Sequence, residues 1–145
     1  MILIDANLLL YARDSQSDRH DRAREWLTAQ LNGSARVGLP WASLIAFVRI
    51  ATHPRVYDRP LTAKQAWSQV EEWLSAGTAW IPVPTQRHGS ILGDLIRRHD
   101  IRGNLVTDAA LAALAIEHGL ELCSADSDFA RFPEVKWRNP LLPES

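Results

Sequence analysis

The sequence begins Met1-Ile2-Leu3-Ile4-Asp5-Ala6-Asn7, a short apolar run that ends directly in a carboxylate. A continuous apolar run of this length is typical of a strand in a parallel sheet, where both faces are buried. A charge at the end of such a strand is costly unless it has a partner. The only lysines, Lys64 and Lys136, are far away in sequence. An arginine is one candidate partner, and Asn7 is close enough to hold the Asp5 carboxylate or a metal-bound water.

Apolar runs alternate with amphipathic stretches over the rest of the chain. The predicted strands are 2–4, 37–39, 80–83, 120–123 and a short last one at 135–137. The predicted helices are 7–14, 18–32, 41–52, 62–75, 86–99 and 107–118. Thr62 and Gln65 match a capping box, and we expect Thr107 to cap the last helix, which Gly119 ends. This order predicts an α/β fold with a central, mostly parallel sheet in a single domain over residues 1–145.

Length and composition exclude several classes of protein. The chain has 145 residues, of which 46% are apolar and 23% charged, values that fit a globular domain and exclude a disordered, collagen-like or coiled-coil chain. Its single cysteine, Cys123, excludes an internal disulfide and a Cys-rich zinc site. No apolar stretch approaches the roughly 18 residues of a membrane helix. We therefore expect a cytoplasmic protein with no membrane partner.

Further carboxylates flank the predicted strand 120–123. Asp126 and Asp128 follow it, and Asp108 lies in the first turn of the helix before it. Asp108 shares a helix face with Leu111 and Ala115, and the helix dipole offsets only about 0.3–1 kcal/mol of the cost of burying its charge. Asp108 as a dipole partner, and Asp126 with Asp128 as an ordinary turn, remain alternatives for these acids taken singly.

Taken together, these acids point to a metal site. The carboxyl ends of parallel strands meet at one edge of a sheet, so Asp5, Asp108, Asp126 and Asp128 are expected to converge there. Hard oxygen ligands without His or Cys suit Mg²⁺ or Mn²⁺, which activates water and stabilises the charge on a phosphodiester under attack.

The charge balance is compatible with RNA as a substrate. The formal net charge of −1 argues against a strongly basic nucleic-acid binder. Without the four candidate site acids, however, 13 acids remain against 16 bases, and 14 of those bases are arginines. The chain outside the acidic site is therefore mildly basic and rich in the residue best suited to phosphate.

Four arginines are candidates for contact with RNA. Arg97, Arg98 and Arg102 lie around the end of the helix before Asp108, and Arg49 is expected near the mouth of the site. Arg97, Arg98 and Arg102 have two alternative interpretations: contact with phosphate, or the ordinary charge of a solvated helix end.

Six tryptophans are many for a chain of this length. Trp26, Trp67 and Trp73 lie in amphipathic helices and are predicted to be core or interface residues. Trp41 leads the helix at the edge of the site, where core packing is favoured over stacking on an unpaired base.

Several segments together resemble a known family. The opening 1–7, the stretch 107–115 and the stretch 124–129 resemble the PIN domain, and 41–57 and 129–141 resemble one branch of its VapC toxins. The order and spacing of these motifs carry the resemblance, which covers almost the whole chain.

This resemblance implies a three-layer α/β/α fold and a metal-dependent endoribonuclease that cleaves cellular RNA. It also implies a toxin that is blocked by a cognate VapB antitoxin and forms a homodimer. The implied catalytic and metal-binding acids are Asp5, Asp108 and Asp126, with Asn7, Ser124 and Asp128 as accessory residues. We expect a single Mg²⁺ or Mn²⁺ held by Asp5 and Asp108, with Asp126 nearby.

One acid of the family pattern is missing. A Glu is usual at the helix position that Ala46 occupies here, and between Glu25 and Glu71 the only acid is Asp58. The alternative function is therefore a catalytically weak or inactive PIN-like module that binds RNA or a partner. A phospho-aspartate enzyme fits less well, because such phosphatases have Asp where Asn7 stands and use a late lysine near the site.

Overall fold

Five short parallel strands form the centre of the fold in the computed structural model, which describes residues 1–143. The strands are β1 (Ile2–Ile4), β2 (Val37–Gly38), β3 (Ala79–Trp80), β4 (Glu121–Cys123) and β5 (Trp137–Arg138). The helices are α1 (Ala6–Arg13), α2 (His20–Leu31), α3 (Trp41–Ala51), α4 (Ala63–Leu74), α5 (His88–His99) and α6 (Leu105–His118). A 3₁₀ turn, Ser127–Arg131, lies between β4 and β5.

The sheet has the order β3-β2-β1-β4-β5, and every neighbouring pair is parallel. Its two faces carry separate hydrophobic cores. Ile2 and Ile4 pack with α1 to α4, whereas Leu3 packs on the other face with α5 and α6. The predicted three-layer α/β/α fold is therefore confirmed, and β1 lies at its centre because all three of its apolar side chains are buried.

Most element boundaries agree with the sequence patterns. The capping box is present, since the Thr62 hydroxyl accepts from the Gln65 amide at 3.1 Å and the Gln65 side chain accepts from the Thr62 amide at 2.9 Å. Gly119 ends α6 in the left-handed conformation with φ of 66°. No helix within residues 1–143 has the length and apolarity needed to cross a membrane.

Three local predictions are wrong. Thr107 does not cap α6, because the helix starts earlier at Leu105, which packs on the core, and the Thr107 hydroxyl donates to the Asn104 carbonyl at 2.9 Å. The strand predicted at 80–83 is Ala79–Trp80 and ends before Pro82, which has no N–H for a strand ladder. The last strand begins at Trp137, because the Val135 amide is used in a turn.

Trp41, predicted to pack in the core, and Trp67, predicted to be a core or interface residue, are both exposed. Trp41 is 41% exposed and Trp67 is 48% exposed, and their rings stack on each other. The buried stripe of α4 consists of Ala66, Val70 and Trp73, so Trp67 lies beside it. Trp41 is the first residue of α3, at the end of the helix.

Candidate active site

The candidate site begins where β1 and β4 end side by side. The parallel register places Ile4 opposite Cys123, and the Asp5 amide continues the ladder by donating to the Cys123 carbonyl at 3.0 Å. Asp5 and Ser124 are therefore brought together although they are 119 residues apart in the sequence. This juxtaposition is created by the sheet topology and not by a local turn.

A hydrogen-bond network holds the Asp5 carboxylate in place. Its Oδ1 accepts from the Ala6 amide at 2.8 Å, and its Oδ2 accepts from the Ser124 hydroxyl at 2.8 Å and, less closely, from the Asn7 amide at 3.4 Å. Asn7 also donates to the Ser124 hydroxyl at 3.0 Å and accepts from the Ala125 amide at 3.2 Å. Asn7 and the fully buried Ser124 thus fix the orientation of Asp5.

Asp108, Asp126 and Asp128 form the acidic centre of the site. One carboxylate oxygen from each lies within 4.8 Å of the others, and within residues 1–143 no other trio of acids, histidines or cysteines comes as close. Asp108 comes from the first turn of α6, Asp128 from the 3₁₀ turn after β4, and Asp126 from the residue that caps the start of that turn. The Asp128 amide donates to Asp126 at 2.9 Å, which orders that turn. Three hard oxygen donors in this arrangement fit Mg²⁺ or Mn²⁺.

The pKa values of Asp108 and Asp5 are raised. Burial, followed by the charges of Asp126, Asp5 and Asp128, raises the pKa of Asp108 to about 6. Burial is also the main cause that raises the pKa of Asp5, with a smaller contribution from Asp126, although hydrogen bonds from Ser124 and Ala6 oppose the shift. A divalent cation would relieve this repulsion, because it favours the ionised form of every acid around it.

A cavity of about 240 Å³ opens between Asp5 and Asp108. Ala46 lines it, so a methyl group lies at the position where the resemblance to the family leads us to expect a Glu. Ala42, Ile45 and Arg49 line the same wall of α3. Ala42 and Arg49 lie four residues before and three residues after Ala46, the spacing of one helix face. This spacing is the signal by which the sequence could have identified Ala42, which is not among the predicted site residues.

The four candidate arginines occupy different surroundings. Arg49 lines the acid cavity. The other three are paired with acids in the described part of the chain: Arg97 with Asp94 at 3.0 Å, Arg98 with Glu134 at 3.5 Å, and Arg102 with Asp100 at 2.6 Å. Of the four, Arg49 is therefore the one that the fold places next to the acids.

Comparison with known proteins agrees with this geometry. The family model for the PIN domain matches residues 2–135. The chain is 45% identical to ribonuclease VapC37 of Mycobacterium tuberculosis over 140 residues, which cover 97% of each chain. It is 41% identical to ribonuclease VapC33 of the same species, over 97% of this chain and 99% of the relative.

Solved structures show the same fold at low sequence identity. The VapBC2 complex of Rickettsia felis, bound to a promoter DNA fragment, matches with a TM-score of 0.70 and 19% identity, over 96% of this chain and 98% of the other. VapC20 of M. tuberculosis, described as a toxin that cleaves the sarcin-ricin loop, matches with a TM-score of 0.69 and 18% identity, over 96% and 100%. From the full-length matches and the acids at the carboxyl edge of the sheet, we conclude that the chain belongs to the PIN domain family and, within it, to the VapC proteins.

Proposed function

We propose that this chain is a divalent-metal-dependent endoribonuclease that acts as the toxin of a toxin–antitoxin pair. The observation that carries the proposal is the convergence of Asp108, Asp126 and Asp128 next to a hydrogen-bonded Asp5. The names of the relatives, ribonucleases VapC37 and VapC33, support RNA as the substrate. The matched complexes of VapB with VapC support a VapB-type antitoxin as the partner, and a homodimer remains our expectation.

We divide the residues of the site into metal ligands and residues that orient Asp5. Asp108, Asp126 and Asp128 are grouped closely enough to hold one Mg²⁺ or Mn²⁺, and Asp5 lies beside them with its orientation fixed by Ser124 and Asn7. When bound, the metal supplies positive charge for the phosphate and makes water a better nucleophile. Asp5 is positioned to accept a proton from the attacking water, and Arg49 to contact the phosphate.

The proposal is tested by incubating the purified full chain with total cellular RNA in Mg²⁺, in Mn²⁺ and in EDTA. We expect cleavage with either metal and none in EDTA. Asp5→Ala and Asp108→Ala are expected to lose the activity, whereas Asp94→Ala, an exposed acid of α5, keeps it. Metal-dependent cleavage that is undiminished in both site variants would contradict the proposal.

Ala46 supports a second candidate, a module that binds RNA or a partner without cutting. The cavity wall lacks a carboxylate at this position. In Ala46→Glu the new carboxylate enters the cavity beside Asp5 and Asp108. An inert wild type with an active Ala46→Glu variant would favour the module, and equal cleavage by both would exclude it.

A further inference from the structure

Trp41 and Trp67 form an exposed aromatic pair at the start of α3. The Trp41 side chain is 41% exposed and that of Trp67 is 48% exposed. Their rings are nearly parallel, with 5° between the planes and 6.3 Å between the centroids. The two indoles therefore stack on each other and leave a large part of their apolar surface exposed to solvent.

The surface of α3 connects this aromatic pair to the cavity that contains the acids. Ala42 follows Trp41 directly, and Ile45 lies one turn further on; both line the cavity that contains Asp5 and Asp108. Arg49, a further turn along, lines the same cavity and offers a cation for phosphate. From Trp41 to Arg49 the helix rises about 12 Å. That distance corresponds to about three or four nucleotides at the roughly 3.4 Å spacing of a stacked strand.

The surroundings of the pair favour a nucleic-acid base over a protein as its occupant. The exposed apolar surface at the pair consists of three side chains, the two indoles and Ile45, whereas a stable protein interface usually involves about 20–30 residues on each side. Lys64 lies about one turn before Trp67 in α4, and Arg49 lies about two turns after Trp41 in α3; both cations are exposed. Exposed aromatic rings with cations on the same helices are a combination that binds single-stranded nucleic acid, since every base has a π-face and every phosphate a charge.

We propose that Trp41, supported by Trp67, stacks on an unpaired base of an RNA strand whose phosphate enters the acid cavity. The inference rests on the proposed function and narrows its substrate to RNA with unpaired bases within a few nucleotides of the cut. A base inside a duplex is excluded, because its own neighbours cover both of its faces. Trp41 is thus a substrate-binding residue outside the group of acids.

The test compares the RNA affinity of the full-length wild type with that of Trp41 variants. It is done in EDTA, which removes the metal that the proposed cleavage needs. The probes are a fluorescein-labelled 12-nucleotide single strand of mixed sequence and the same strand annealed to its complement. Trp41→Ala and Trp41→Leu are expected to raise the Kd for the single strand about tenfold, the size of one lost stacking contact, and to leave the Kd for the duplex unchanged. Trp41→Phe, which keeps an aromatic face, is expected to stay within about threefold of wild type.

Two controls separate stacking from packing. Trp41→Leu keeps apolar bulk at the site, so its loss of binding reports the missing aromatic face. Val83→Ala alters a side chain that is 56% exposed near His118, at the far end of α6, and is expected to bind like wild type.

Unchanged single-strand affinity in Trp41→Leu and Trp41→Ala would overturn the inference, and so would equal weakening for single strand and duplex. Failure of the wild type to bind the single strand would overturn it as well. Loss of antitoxin binding at unchanged RNA affinity would identify the pair as a protein-docking surface and contradict base stacking. The proposed function has a separate readout, cleavage of RNA by the wild type with added metal, so the two can fail independently.

Discussion

Asp108 holds its proton to a higher pH than an ordinary carboxyl group, because it is partly buried and three other acids surround it. Its pKa is raised from 3.8 to about 6. Between these values the folded protein retains a proton that the unfolded chain has released. The free energy of unfolding therefore falls as the pH rises through this range, and the full repulsion is present above about pH 6.

Replacing Asp108 by Asn removes this repulsion. In EDTA at pH 7.5 we expect Asp108→Asn to be more stable than wild type by about 1 kcal/mol, less than the full pKa shift implies because water screens a partly exposed group. The difference is expected to shrink toward pH 4. Urea denaturation at several pH values measures it, with Asp94→Asn as the exposed control. An Asp108→Asn protein less stable than wild type at pH 7.5 would contradict the raised pKa of Asp108 and the repulsion that accompanies it.

Ser124 is the buried centre of the network around Asp5. Its hydroxyl donates to Asp5 and accepts from the Asn7 side chain and the Asp126 amide. Ser124→Ala leaves these groups short of a partner, and we expect a loss of about 1–3 kcal/mol in the free energy of unfolding. The exposed Ser127→Ala serves as the control for denaturant melts. Equal stability of the two variants would show that the network contributes little.

At the scale of single elements, α6 matters because its first turn carries Asp108. Its C-terminal end depends on Gly119, whose φ is 66°, and on the Leu120 amide, which donates to the Ala115 carbonyl at 2.8 Å. Gly119→Ala is expected to cost about 1 kcal/mol, since a β-carbon disfavours the left-handed conformation. Gly77→Ala is a matched control, because Gly77 has no positive φ and an added β-carbon there meets no atom within 4 Å. Thermal melts of the two variants should differ by several degrees; coincident melts would refute the expectation.

At the scale of the whole molecule, metal binding and folding are coupled. A cation that binds only the folded acid cluster stabilises the protein by about 2.7 kcal/mol at a hundredfold excess over its Kd. We expect Mg²⁺ and Mn²⁺ to raise the Tm in a concentration-dependent way at pH 7.5, and EDTA to reverse the effect. The double variant Asp108→Asn, Asp126→Asn should show no such rise. A rise of equal size in that variant would place the metal elsewhere.

The sequence predicts the features that depend on local pattern. Buried strands ending in acids, helical periods and the cap at Thr62 all follow from short stretches. They predict an α/β fold with a parallel sheet and the convergence of the acids, and the family resemblance adds the three-layer arrangement. The position of Ala46 on the cavity wall was also predictable, because it follows from a helical register. The Thr107 cap was mispredicted, because packing of Leu105 on the core extends the helix by two residues.

Features that depend on how elements pack together were not predictable in this way. Trp41 and Trp67 have the spacing of core residues, yet their exposure is decided by which stripe of α3 and α4 contacts the sheet. For Asp128, the sequence predicts convergence with Asp108 and Asp126, but how closely the three carboxylates approach depends on the 3₁₀ turn after β4. Neither is encoded in a short window of sequence.

The pairing of β1 with β4 means that the site cannot form from one stretch of chain alone. Asp5 follows β1, whereas the strand that aligns it and the serine that holds it lie at 121–124, with the serine 119 residues further on. A polypeptide truncated before β4 is therefore expected to carry isolated acids and no organised cluster. Two separate fragments divided between these strands would have to reassociate through β1 and β4 to restore the site.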